Sequence, residues 1–466
     1  MILISDAKQL ISDIRVPFSV ALGDQMLLCE EVLRMLPNKR IVVKGTWKGE
    51  AIVGKIYFGA HHTKRHFQKT LRGTRLLEKH RIQTPKIVYA GIVNHLYIIL
   101  FKYLPATIDA DDLFFSTLAK PFIQQLALQH AKGLLHSDLH PHNYLATQEG
   151  LFVLDSQEVR QKGMPLPMAD CLKNLGELLA QLSPTADDKL EKLLDVYLQG
   201  RKDLNTYDKK ADWVRQLEHW QYLSRLKREK EKLKKIFRNA TLFRAGKNKH
   251  FHYVCRKEYV SPEFISFLNA PDFWMDKGEC LKDGNTCTVS KVSIDGRLFV
   301  VKRYNIKNWL HRLSRFFRGS RAAQYWKNAH RLELYRMPLP KPVALIEKRY
   351  GIFRGKAYYV SEFVPGDLLN SYLENESSLE KKQNVLQQVK TILDCLYRLK
   401  LTHGDMKASN FIVHDQKVFM IDLDSVKRVT GQRCLLRALE KDKRRFLMNL
   451  KDPTLQEHFY SLSKYL

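Results

Sequence analysis

Short apolar runs separated by polar stretches mark out strands along this chain, and they come in two matching series. The runs Ile52-Val-Gly-Lys55-Ile-Tyr-Phe and Leu298-Phe-Val-Val-Lys302-Arg-Tyr read as strands, each with a lysine near its end. A helical stretch follows each and closes on a similar dipeptide, Thr84-Pro85 or Leu339-Pro340, where proline ends a helix. Two further strands run into Ile98-Ile-Leu-Phe-Lys-Tyr-Leu-Pro105 and Tyr358-Tyr-Val-Ser-Glu-Phe-Val-Pro365. Over 306–317 the apolar positions are 306, 309, 310, 313, 316 and 317, the spacing of one helix face.

The second part of each series is a loop and a strand. His136-Ser-Asp138-Leu-His-Pro-His-Asn143 precedes an apolar run ending Val-Leu-Asp155, and His403-Gly-Asp405-Met-Lys-Ala-Ser-Asn410 precedes Val-Phe-Met-Ile-Asp422. Asp138 and Asn143 lie five residues apart, as do Asp405 and Asn410; the next Asp follows twelve residues later in both, and all three residues recur at one offset of 267. The order strand, lysine, helix, strand, hinge, helix, HxD loop, strand with terminal Asp therefore predicts an internal repeat. We expect an α+β chain of two tandem domains, each with a β-rich N-lobe and a helical C-lobe. The predicted division is 1–205, a basic helical linker over 206–250, and 251–466. The Lys-to-Asp interval is 83 residues in the first half and 103 in the second, which predicts a trimmed first N-lobe.

Composition narrows the class. At 44% hydrophobic and 27% charged, the 466 residues suit a chain that buries cores, which excludes disorder, collagen and a disulfide-stapled miniprotein. Seven scattered cysteines without a CxxC pair argue for a reducing compartment and against a zinc ribbon. The N-terminus shows no secretory signal, and the strongest apolar stretch, 96–101, is far short of the roughly 18–20 residues of a membrane span. A soluble, intracellular chain is expected. Its formal charge of +29 points to phosphate: a nucleotide, a nucleic acid or an anionic lipid surface. Between 225 and 249 there are 11 Lys or Arg against Glu229 and Glu231. That stretch reads either as a solvated inter-domain helix or as a polybasic surface for anionic lipid or sugar phosphate. The amphipathic stretch 306–317, with Trp309 and Phe316, suits either a membrane interface or packing on the domain.

The repeated residues form a phosphoryl-transfer set. That chemistry needs positioning and charge neutralisation more than covalent steps. A strand lysine (Lys55, Lys302) can hold nucleotide phosphates, and a loop Asn with a strand-end Asp (Asn143 with Asp155, Asn410 with Asp422) can hold magnesium through hard oxygens. The loop Asp (Asp138, Asp405) can accept the proton of an attacking hydroxyl. Lys407, two residues beyond Asp405, can neutralise the transferring phosphate; the first half has His140 there. His140 and His142 read as loop polar residues rather than metal ligands, and His136 and His403 as structural.

This pattern resembles the protein-kinase fold, in which HxDxxxxN and a later Asp carry catalysis. Within that fold the chain is most similar to the lipopolysaccharide core kinases of the Kdo/WaaP type. The stretches that carry the likeness are Val301-Lys-Arg-Tyr-Asn305, Ser320-Arg-Ala-Ala-Gln-Tyr-Trp-Lys-Asn-Ala329, Thr402-His-Gly-Asp-Met-Lys-Ala-Ser-Asn410, Ile421-Asp-Leu-Asp424 and, before them, Phe237-Arg-Asn-Ala-Thr241. The resemblance is strong in the second half and looser in the first. It implies ATP and magnesium, a sugar hydroxyl of the lipopolysaccharide inner core (heptose first) as acceptor, and a cytoplasmic enzyme, peripheral on the inner face of the inner membrane.

The chain departs from regulated protein kinases. Neither half has a GxGxxG loop; the second offers Lys282-Asp-Gly284-Asn-Thr. No helix glutamate falls at the expected spacing, where Thr70 and Tyr325 stand instead. Ser137 and Gly404 replace the arginine of the HRD motif, no APE-like motif follows, and 44 residues remain after Asp422. Two other classes stay open. One domain is a pseudokinase scaffold, or the charge serves nucleic acid, for which no aromatic RNA motif or recognition helix is present.

Overall fold

A computed structural model of the chain describes residues 2–4, 16–36, 38–59, 62–204, 209–305, 319–350 and 353–462. The amphipathic stretch 306–317 lies outside them. The chain is mixed α+β and divides into two compact units: 1–182 with 188–224, and 183–187 with 225–466.

The first unit is built on a seven-stranded sheet. Its strands are β1 (Ile2–Ile4), β2 (Phe18–Leu22), β3 (Gln25–Leu36), β4 (Arg40–Trp47), β5 (Glu50–Tyr57), β6 (Ile87–Val93) and β7 (Leu96–Lys102), in the order β1-β2-β3-β4-β5-β7-β6. Side chains of a strand alternate between faces, and two apolar layers result. Ile52, Ile56, Ile98 and Leu100 join Phe18, Ile41 and Val43 in one core, while Tyr57, Ile99 and Phe101 meet Phe67 of helix α1 (Thr63–Lys79) in the other. Lys55 shares the parity of Tyr57 and so belongs to the α1 side. The helical part follows: α2 (Ala110–Ser116), α3 (Lys120–Ala131), α4 (Met168–Leu179), α5 (Leu190–Gln199) and the start of α6 (Lys210–Lys235). Between them lie short strands β8 (Leu134–His136), β9 (Tyr144–Thr147), β10 (Gly150–Val153) and β11 (Val159–Gln161), which frame the loop of Asp138.

The second unit shares a five-strand core with the first, but its two further strands join the opposite edge of the sheet. Its strands β12 (Phe243–Lys247), β13 (Phe251–Arg256), β14 (Glu279–Asp283), β15 (Cys287–Ile294), β16 (Arg297–Tyr304), β17 (Pro342–Tyr350) and β18 (Phe353–Glu362) lie in the order β12-β13-β17-β18-β16-β15-β14. In both sheets the lysine strand sits between its preceding hairpin partner and the later hinge strand. Alternation again sorts the faces: Phe299, Val301 and Val360 enter one core, and Tyr304 and Tyr359 the other. Helices α7 (Pro262–Asn269) and α8 (Pro271–Lys277) cover the first core. Helix α9 (Arg321–Leu334) supplies Trp326 to the second, its N-terminus capped by Ser320, whose Oγ accepts the Ala323 N–H at 3.0 Å. Helices α10 (Leu369–Asn375), α11 (Leu379–Arg398), α12 (Gln432–Leu447) and α13 (Pro453–Leu462) complete it, with α11 contributing Val385, Leu386, Val389, Leu393 and Leu396 to one apolar face.

The first half is the shorter one between its lysine and the end of its hinge strand, though not for want of strands, since both sheets have seven. The extra chain of the second half lies mainly between Tyr304 and Arg321, where the first half runs from Tyr57 to Thr63. Of the full Lys-to-Asp difference the connection supplies about half, and the longer α11, 20 residues against 12 in α3, supplies most of the rest.

Candidate active site

In the second unit β16 delivers Lys302 to the end of the strand that leads to Asp422. Lys302 Nζ is 2.6 Å from Asp422 Oδ1 and 3.6 Å from Asp424 Oδ1, with the rings of Tyr304 and Tyr325 around its stem. Burial alone would raise the Asp422 carboxyl, but the Lys302 ammonium outweighs it and, with Arg321, holds it below its ordinary value. Asp422 occupies the left-handed region at φ 58°, uncommon for a residue with a Cβ. Helix α9 holds it there. Tyr325 Oη accepts the Asp422 N–H at 3.0 Å, and Asn328 Nδ2 donates to the carbonyls of Leu423 and Val426 at 2.8 and 2.9 Å. Asp424 in turn accepts from Tyr304 Oη and Arg321 Nη2, each at 2.5 Å.

The Asp405 loop is fixed from below. The buried Asp442 of α12 accepts the backbone N–H groups of His403 at 2.8 Å and Gly404 at 3.0 Å. Gly404 has φ 80°, and a Cβ there would stand 2.8 Å from the Ser425 carbonyl, so the loop admits no side chain at this position. Asp405 Oδ1 faces two cations, Lys407 Nζ at 3.1 Å and Arg445 Nη1 at 3.2 Å. Asn410 Nδ2 donates to the Asp405 carbonyl at 2.7 Å, and the Asn410 carbonyl accepts the Ile421 N–H at 2.9 Å, which ties the loop to the strand that ends at Asp422.

The first unit repeats these bonds. Asn143 Nδ2 donates to the Asp138 carbonyl at 2.9 Å and to Asp138 Oδ2 at 3.0 Å, and the Asn143 carbonyl accepts the Leu154 N–H at 2.8 Å. In both loops the asparagine spends its N–H on the aspartate, which leaves Oδ1 as an oxygen donor. Together with a carboxylate this is a donor set that fits magnesium.

The lysines differ. Lys55 Nζ donates to the Leu154 carbonyl at 3.0 Å, whereas Asp155 faces Arg40 Nη2 at 3.6 Å. Burial lowers the Lys55 ammonium, against the pull of Asp155. Arg40 follows the β3–β4 turn, the place that a phosphate-binding loop would take in this sheet. Helix α1 approaches the Asp155 loop at Gly73, where a Cβ would lie 1.9 Å from the Ser156 carbonyl, while Thr74 Oγ1 meets Ser156 Oγ at 2.7 Å.

Residues 271–460 match the lipopolysaccharide kinase (Kdo/WaaP) family. No curated protein matches the chain. The matched segment contains β16, α9, the Asp405 loop and Asp422, and makes the second unit a kinase-like domain. The Kdo/WaaP family is one of lipopolysaccharide kinases, so the match supports a phosphotransferase and, with it, use of ATP.

The four sequence-selected positions of the first half and the five of the second, Lys407 included, therefore converge around one loop and one strand end in each. Thr70 and Tyr325, found where a helix glutamate was sought, are both buried; Thr70 bonds Tyr57 Oη at 2.7 Å, and Tyr325 the Asp422 N–H. Sequence reading missed Arg445, Asp442, Arg321 and Arg40. Arg445 and Asp442 lie in the charged run Lys441-Asp-Lys-Arg-Arg445, where nothing but an i, i+3 pairing marks them. Asp424 was quoted within Ile421-Asp-Leu-Asp424 but given no role. Among the described residues no helix is long and apolar enough to cross a membrane.

Proposed function

We propose that the chain transfers the γ-phosphate of ATP to a hydroxyl of a lipopolysaccharide inner-core sugar, with heptose as the first acceptor to test. The observation that carries this reading is the cluster Lys302, Asp422, Asn410, Asp405 and Lys407 within the segment that matches the Kdo/WaaP family. Asp405 orients the acceptor hydroxyl and takes its proton; Arg445 and Lys407 hold that carboxylate in place. Lys302 holds nucleotide phosphates once it exchanges Asp422 for them. Asn410 and Asp422 would hold magnesium, which supplies positive charge between the phosphates when bound. Lys407 faces charge that develops on the transferred group.

The first unit supports a second kinase-like domain through its sheet order and its Asp138–Asn143–Leu154 bonds. There Asp138 would take the proton role, Lys55 the phosphate role, and Asn143 with Asp155 the magnesium role. Because Lys55 rests on a carbonyl and Asp155 on Arg40, a second reading makes this unit a pseudokinase that scaffolds the first reaction. We place the enzyme in the cytoplasm, peripheral on the inner membrane, where such acceptors are made.

The test is magnesium-dependent transfer of labelled γ-phosphate to lipopolysaccharide lacking core phosphate, by wild type, Asp138→Asn, Asp405→Asn and the double variant. Loss with Asp405→Asn alone assigns turnover to the second unit and scaffolding to the first. Loss with both single variants assigns two coupled sites. No transfer by folded wild type that binds ATP overturns the core-kinase reading.

A further inference from the structure

Asp111, on the first turn of α2, meets the Asp138 loop at two histidines. His142 Nε2 lies 3.4 Å from Asp111 Oδ2, and the His140 and His142 rings stack with centroids 4.8 Å apart. One ligand atom from each of the three residues lies within 4.8 Å of the other two. Asp111 Oδ1 is buried without a hydrogen-bond partner, although the residue sits near the surface. A buried carboxylate oxygen left bare is costly, and a cation would satisfy it.

The chemistry of the set is specific. Two imidazoles and one carboxylate suit zinc, or another late first-row divalent ion, and suit magnesium poorly. A tetrahedral ion with bonds of about 2.0–2.1 Å sets neighbouring ligand atoms about 3.4 Å apart. The His142–Asp111 pair already has that separation, and His140, whose Nδ1 accepts the His142 N–H at 3.4 Å, offers a ligand atom within 4.8 Å of both. His142 keeps 64% of its side chain exposed, so the fourth position opens to water or substrate. The segment is braced by backbone bonds, His140 N–H to the Asp138 carbonyl at 3.1 Å and Asn143 N–H to the His140 carbonyl at 2.8 Å.

We propose that Asp111, His140 and His142 bind a zinc-class divalent ion. The repeat gives the site a meaning. At the 267-residue offset His140 corresponds to Lys407, the cation beside Asp405. The ion restores next to Asp138 the positive charge that the second unit carries on a side chain. Only this consequence rests on the phosphotransfer reading; the binding site does not.

The test reads binding without ATP or acceptor, so its failure is distinct from failure of the kinase reading. The full chain, with exposed Cys280 and Cys434 changed to serine, is titrated with Co2+ in excess Mg2+ and followed by visible absorption, then displaced with Zn2+. One equivalent is expected to bind with the spectrum of a low-symmetry nitrogen–oxygen site. His142→Ala and Asp111→Asn should each weaken it by at least about a hundredfold, with unchanged far-UV circular dichroism, and Asp155→Asn should leave it intact. Absence of binding by wild type, equal binding by His142→Ala, or loss with Asp155→Asn overturns the proposal.

Discussion

The carboxylate of Asp442 accepts the backbone N–H of His403 at 2.8 Å, and the same carboxylate takes the N–H of the next residue. A loop that must present Asp405 at one orientation is thus pinned by a buried charge from a helix 37 residues further on. Asp442→Ala leaves two buried donors unmet, and a destabilisation of about 2–3 kcal/mol should follow. Asp442→Asn keeps the shape but offers one acceptor oxygen fewer. Its kcat should fall with little change in nucleotide affinity, because nothing that touches the phosphates has moved. Urea unfolding and steady-state kinetics of the two variants check this.

The two strand lysines should respond differently to Met. Lys302→Met removes the partner of Asp422 and leaves a part-exposed carboxylate behind, a loss of about 1–2 kcal/mol together with at least a hundredfold loss of turnover. Lys55→Met replaces a buried ammonium that donates to a carbonyl and also pulls on the Asp155 carboxyl, while Asp155 keeps Arg40. Stability should then change by less than about 1 kcal/mol. Parallel thermal melts decide; an equal loss from both would mean that Asp155 depends on Lys55 more than on Arg40.

What the sequence made legible here was the pair of matching loops. Asp138 with Asn143 and Asp405 with Asn410 carry their geometry in local spacing, since a five-residue loop returns the asparagine amide to its own aspartate. The succession of strand, helix and hinge strand along the chain, too, was legible from the apolar runs around Lys55 and Lys302. Residues that reach the site across long separations were not legible. Arg445 and Asp442 come from a helix with no chemical motif, and Arg40 follows a turn without the glycines that would advertise a phosphate loop. The shorter first interval did not reveal which part was cut, because a residue count cannot distinguish a missing strand from a shorter connection or helix.

Gly73 should tolerate no methyl. Its Cα faces the Ser156 carbonyl so closely that Ala would push α1 off the loop of Asp155. Gly73→Ala is expected to cost about 1–3 kcal/mol, visible as a lower Tm. Gly49, where a Cβ meets nothing within 4 Å, is the control for helix-remote substitution, though its φ of 79° carries its own small strain.

Acid should weaken the fold before carboxylates titrate. Burial pushes His130 and His330 down to about 4, so both stay neutral in the folded chain until far below the ordinary histidine range. Unfolded histidines take up protons near 6.5. Between those values the unfolded state binds more protons, so stability falls as pH drops from about 6.5 to about 4 and is level above 7. Glu333, held near 2 against burial by His330 and Lys232, stabilises the fold in full above the unfolded glutamate value and loses that contribution only as pH falls below it. Melting temperatures from pH 8 to pH 5 check the slope. The double variant His130→Gln and His330→Gln should make it shallower without abolishing it, because burial also lowers His136 and His403.

The boundary between the two units falls inside α6, between Ser224 and Arg225, rather than in an extended tether. Just past it, Glu229 receives Arg331 at 2.8 Å, Arg428 at 2.6 Å and Tyr335 at 2.9 Å, so a residue of the joining helix is the counter-ion of the second unit's own framework. A protease or a gene truncation that separates the halves in the basic stretch would remove that carboxylate and strand two arginines of the half meant to survive. The second unit should be expressed from a start upstream of Arg225; one begun at 251 should come out insoluble.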